Sequence, residues 1–433
     1  MRRAFAATSL SFVLASSGCS GVFQRSMPDV PEAYDVAVRT SSPLRVGSAE
    51  RDVTPPVGGW LAGFSLARAS TGVASPLKVR VLVVDAGERR FAIVGVDNLG
   101  VMREDVDWIK SGLAGFANGD VFLCSSHTHA GPDLVGLWGY YFLSSGRDRG
   151  YLATLRRATA EAVGEALAAA RPATFVLGES RLPPRGLVKN ANRAEVFDRR
   201  VTVLQARAID DGCPLGTLLH LACHPEVLRR GNTEISADFV GDLCDAWRER
   251  GHGQAVFANG ALGAMISPDV SPHDRSGVRR MGEVLCDLCE QALAAAQPIA
   301  SDPIEVRRAD VYLPMVSPGF RIGRLTTTLQ REVFDGCARS TVGWLRIGGF
   351  EAIAVPGEAE PALAARLRAA VHRPNALIFG LCDDEVGYLL REQEAIDPEY
   401  AYERSMSPCR SAGERVSAAI VGVTDGTGTA ASR

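Results

Sequence analysis

The run Val121–Cys124 is continuously apolar, and the chain then delivers Ser125–Pro132, with histidines at positions 127 and 129. The same grammar returns three times. The run 217–223 delivers His224, Pro225 and Glu226. The run 352–355 delivers Pro356, Gly357 and Glu358, and the run 376–382 delivers Asp383, Asp384 and Glu385, then Tyr388. Short apolar runs bounded by turn residues read as buried strands. In open α/β sheets, ligands bind beyond the carboxyl ends of the strands. Four strand ends bearing His, His, Glu and Tyr therefore predict one floor able to hold a metal ion. The whole pattern predicts an α/β (mixed α+β) fold: a large mixed sheet flanked by helices, with the site at the C-terminal ends of its strands.

A chain of 433 residues, 46% hydrophobic and 22% charged, can bury a large core. Its net charge of −3 gives no footing for a nucleic-acid partner. Residues 1–19 read as an export signal: Arg2 and Arg3 precede an apolar stretch shorter than the roughly 20 residues that span a bilayer. That stretch ends at Cys19 in a sequence resembling a lipoprotein box, except that Ser16 stands where Leu is usual. The expected location is outside the cytoplasm: periplasmic, anchored to the outer membrane through a lipidated Cys19, or secreted. The ten cysteines show no disulfide framework, and Cys286 and Cys289 lie on one helical face as small core residues.

Residues 20–44 read as a tether and 45–410 as the catalytic domain, with 411–433 an irregular tail. Helices are expected near 103–115, 151–170, 238–250, 276–297 and 359–371, with strands between them. Glu358 is placed at the start of the last of these helices, where the helix dipole favours a carboxylate. Asp238 is expected to cap the helix it begins. Asp97 ends a buried strand, either beside a ligand or as a loop cap. Asp52 and Thr54 shape a turn before Pro55 and Pro56. His220 is expected in the core, whereas His252, His273 and His372 sit in polar stretches. Trp138, Tyr140, Tyr141 and Phe142 follow the histidine loop and are expected either to line a groove beside it, the reading preferred for its place next to the metal floor, or to cover the core.

Taken in order, residues 51–58, 126–132, 223–225, 235–239, 355–358, 387–388 and 402–404 resemble the neutral/alkaline (non-lysosomal) ceramidase family. The match runs over roughly residues 46–410 and is identified from order and spacing, since each piece alone is short. The resemblance implies a zinc-dependent amidohydrolase with His127, His224, Glu358 and Tyr388 as ligands of Zn2+. Such donors suit zinc, and a nearby cation lowers a tyrosine's proton affinity. It also implies catalytic roles for His129 (holding water or an oxyanion), Tyr402 (donating to the scissile carbonyl) and Arg193 (binding substrate).

The chain departs from the family at residues 263–268, where a catalytic serine segment carries one extra residue and no aspartate. Ser267 is the serine available there, and water is preferred over it as the nucleophile. The expected substrate is an N-acylated, lipid-like small molecule such as ceramide. The alternatives are a zinc esterase or amidase acting on a non-lipid substrate, and a cell-envelope lipoprotein that keeps the fold without catalysis.

Overall fold

The computed structural model describes residues 24–28, 32–40, 42–193 and 196–425. The export signal and Cys19 lie outside the described residues. Two sheets dominate. The nine-stranded one runs, in space, Ala255–Asn259, Pro214–Leu221, Arg200–Ala208, Arg171–Arg181, Arg45–Asp52, Lys78–Asp85, Arg90–Val96 and Val121–Ser125, with Gln297–Ile299 pairing beside Arg171–Arg181. The seven-stranded one centres on Cys337–Ile347, flanked by Ile304–Pro314 and Phe350–Ala354.

Alternation along single strands builds the layers. In Lys78–Asp85, Val79, Val81 and Val83 join Leu152, Leu155 and Ala162 of the helix Arg149–Ala168. Leu82 and Val84 point the other way, into a core shared with Ile304, Val306 and Leu345 of the second sheet. Successive strand side chains face opposite sides, so one strand serves both cores. Helices Asp238–Glu249 and Arg275–Ala294 cover the rest of the first sheet through Trp247, Met281 and Leu285. Helices Pro361–Ala370 and Ala412–Thr424 cover the second through Leu363, Leu367, Val416 and Ile420. The result is helix, sheet, sheet, helix. Close packing of the first two layers needs Gly47, where a Cβ would lie 2.0 Å from the Ala166 carbonyl oxygen.

Four expectations are corrected. Residues 33–38 are not tether: Ala33–Val38 is an antiparallel edge strand on Ile304–Pro314. The tail is not irregular where it is described, because Ala412–Thr424 is a helix on the second sheet. Glu358 does not open a helix; it pairs in a two-residue bridge with the Tyr388 segment, and Glu360 caps the helix by accepting from Leu363 N at 2.8 Å. Asp238 does not cap either: it is the first helical residue, and its carboxylate accepts from Phe239 N and Leu228 N. No helix among the described residues is long and apolar enough to cross a membrane.

Candidate metal centre

Three parallel pairs set up the site: Arg90–Val96 with Val121–Ser125, Pro214–Leu221 with Ala255–Asn259, and Phe350–Ala354 with Leu377–Phe379. The loops leaving their C-terminal ends converge. Asn259, fully buried, donates from Nδ2 to Ser126 O and Cys223 O, at 2.8 Å each, and so ties both histidine-bearing turns together.

His127, His129 and His224 bring ring nitrogens within 4.8 Å of one another. Their ring centroids are separated by 5.0, 5.0 and 5.6 Å. His127 Nδ1 lies 2.7 Å from Leu99 O, and His224 Nδ1 lies 2.8 Å from Ile266 O. A carbonyl only accepts, so both Nδ1 atoms carry the proton and both Nε2 atoms present lone pairs. Those lone pairs face Glu358 Oε2, at 3.6 Å from His127 and 3.0 Å from His224. Buried acceptors crowded in this way require a cation or a proton between them. The orienting bonds at Nδ1 are also those that metal-bound imidazoles usually make.

Burial pulls His127 down to about 4, against the opposing charge of Glu358. Burial pulls His129 well below its ordinary value, and the neighbouring histidines and Arg68 add to this. His224 behaves differently. Burial lowers it, but the hydrogen bond and charge of Glu358 outweigh burial and raise it. Glu358 is held below the usual range because the histidines and Tyr388 outweigh its own burial.

Tyr388 lies in register with Glu358. Its hydroxyl donates to Met265 Sδ at 3.4 Å. Burial and the Glu358 charge push its proton affinity well up, and a cation beside it would reverse that. All four residues expected as ligands thus stand together. His129 joins them: both its ring nitrogens are buried without a hydrogen-bond partner. It fits against Gly63, where φ is +106° and a Cβ would lie 2.8 Å from the imidazole.

Tyr402 stacks edge-on to Tyr388, with centroids 6.0 Å apart, and lines the cavity over the histidines. Ser267 is one residue removed from that cavity: its Oγ donates to Glu226 Oε1 at 2.6 Å, and Glu226 Oε2 lies 3.8 Å from His129 Nδ1. Arg193 pairs with Asp397 at 2.7 Å and lies over the Tyr400 ring, bracing the segment that carries Tyr402. Asp97 is neither beside a ligand nor a loop cap; it pairs with Arg80 at 2.7 Å inside the sheet. His220 is in the core, and His252 stacks on Trp247.

Two carboxylates reach the centre without a role in the sequence reading. Glu226 is one. The other is Glu385, whose Oε2 is buried without a partner 4.0 Å from His127 Nδ1. Both stand beside residues that carry a signal, yet no periodicity marks a single loop carboxylate. His127, Glu358 and Glu385 form a second grouping with metal-ligand spacing. The cavity is walled by Leu99, Val135, Leu137, Phe320 and Leu329, and it opens into an apolar groove bounded by Phe64, Trp138, Phe142 and Ile322. Trp138 and Phe142 thus lie where the sequence placed them, whereas Tyr140 and Tyr141 do not line the groove and Tyr140 packs on Trp60 instead.

No protein-family model matches the sequence, and no curated protein matches it significantly. Solved structures do. The neutral ceramidase from Pseudomonas aeruginosa superposes with a TM-score of 0.71 at 16% identity, over 89% of this chain and 74% of that one. A ceramidase complexed with C2 gives 0.73 at 16% identity, over 89% and 75%. The chain therefore has the fold of the neutral ceramidases, with its buried histidine and glutamate group set where the strand ends converge.

Proposed function

We propose that the chain is a zinc-dependent hydrolase that cleaves the amide bond of an N-acylated, lipid-like substrate, with water as the nucleophile. One observation carries the reading: the Nε2 lone pairs of His127 and His224 meet a Glu358 oxygen in a buried space that opens into an apolar groove. His127, His224, Glu358 and Tyr388 would hold the ion. A zinc ion bound there supplies Lewis acidity toward an acyl oxygen and makes water acidic near neutral pH.

The protein's own groups do the rest. His129 is neutral at pH 7 and has no partner at either nitrogen, so Nε2 can take the proton of the attacking water. Glu226, beside Nδ1, steadies the imidazolium that results. Tyr402, half-exposed at the mouth, is pushed up to about 12 by burial of its hydroxyl and by Glu358, so it stays protonated and donates to the acyl oxygen. Leu137, Trp138, Phe320 and Leu329 exclude water and accept a hydrocarbon chain. That lining favours a lipid over a small polar amide or ester.

The test is a panel of N-acyl sphingoid lipids and simple esters, with and without chelator, in which the released acid is identified. Fatty acid freed from the N-acyl lipids, and abolished by chelation, is expected. Turnover of the esters alone, or turnover indifferent to the chelator, contradicts the proposal.

A further inference from the structure

Large apolar side chains stand exposed at the groove and beside it, and nothing among the described residues covers them. Phe142 is 66% exposed, Tyr140 67% and Leu325 77%. With Leu66 they come from three segments: the loop bearing Leu66, the loop 140–143 and the short helix Pro318–Leu325. Ala67 N donates to Gly139 O at 2.9 Å and joins the first two. Leu66, Phe142 and Ile322 line the groove itself, and Leu325 follows Ile322 by one helical step on the same face. Scattered exposed apolar residues need no explanation, but a contiguous patch at the entrance to a site marks an interaction surface.

Two features decide what it meets. Tyrosines 140 and 141 beside aliphatic tips are the amphipathic pattern suited to a membrane–water interface, where one end is apolar and the other wet. The same helix carries Arg321 and Arg324, and no carboxylate pairs with either among the described residues. On a chain of net charge −3, this is a local positive rim around an apolar patch.

We propose that this face docks on a lipid bilayer carrying anionic headgroups. Phe142, Tyr141 and Leu325 enter the acyl boundary, Arg321 and Arg324 lie at the phosphates, and the groove opens directly into the membrane. The proposal goes beyond the hydrolase reading and stands whether or not the site turns over a lipid.

The experiment is flotation of the full-length chain, stripped of metal by chelation so that no hydrolysis occurs, with phosphatidylcholine vesicles with or without phosphatidylglycerol. Binding to the anionic vesicles is expected. A Tyr141→Ser, Phe142→Ser, Leu325→Ser variant with an unchanged circular dichroism spectrum should lose about tenfold or more of it. An Arg321→Gln, Arg324→Gln variant should lose the preference for phosphatidylglycerol. Wild-type protein that stays with the unbound fraction overturns the proposal, as does a serine variant that floats like the wild type. Self-association without vesicles that the serine variant abolishes also overturns it, because the patch would then be an interface between copies.

Discussion

His127 sits at φ 73°, a left-handed backbone that a non-glycine residue rarely adopts and that costs of the order of 1–3 kcal/mol. The surroundings impose it: His127 N donates to Asn98 O at 2.8 Å, and Nδ1 is held on Leu99 O. This conformation turns Nε2 toward Glu358 instead of along the strand. His129 is set by exclusion, since Gly63 leaves the room its ring occupies. A Gly63→Ala variant meets both a forbidden backbone and a clash with the imidazole. It should lose about 1–2 kcal/mol of stability and, with the base displaced, about a hundredfold or more in hydrolysis rate. Thermal denaturation and initial-rate kinetics read the two effects, and a wild-type rate in this variant would show that the position of His129 does not matter to the reaction.

At the scale of single elements, buried runs were legible because a two-sided core demands apolar residues at every position. Val121–Ser125 and Pro214–Leu221 therefore announced themselves, and with them the turns bearing His127 and His224. The edge strand Ala33–Val38 did not, since only alternate residues are half-buried and its pairing is supplied by a distant strand. The helix Ala412–Thr424, rich in Gly and β-branched residues, owes its helicity to packing on the second sheet and not to propensity. Asn259 carried no local signal, because its two acceptors come from different turns.

The strand Pro214–Leu221 also carries a pH-dependent contribution to stability. Burial lowers His220 to about 4, while its Nε2 donates to Ile378 O at 2.9 Å. The unfolded chain, with His near 6.5, binds more protons below that pH than the folded chain does. Stability is thus full above about 6.5 and is lost as pH falls toward about 4. Between pH 7.5 and 5 the wild type should lose about 2 kcal/mol more than a His220→Leu variant, by urea denaturation of metal-free protein. Equal losses in the two proteins would contradict the assignment.

Across the whole molecule, the segment 383–388 connects the two sheets to the site. Asp383 pairs with Lys110 and Arg308, and Asp384 accepts from Arg331, Ser340 Oγ and Arg103 N; Glu385 and Tyr388 follow at the centre. Removing a buried partner leaves an uncompensated charge. Asp384→Asn should therefore cost about 3–5 kcal/mol by urea denaturation and weaken metal binding together with it. A loss below about 1 kcal/mol would mean that this ion pair does not anchor the segment. The convergence of four distant loops on one ion is tested most directly by the metal content of the purified, dialysed protein. About one zinc per chain is expected in the wild type and in a His252→Ala variant, and almost none in His127→Ala or Glu358→Gln. A wild-type protein that holds no metal, or site variants that hold as much as the wild type, would contradict it.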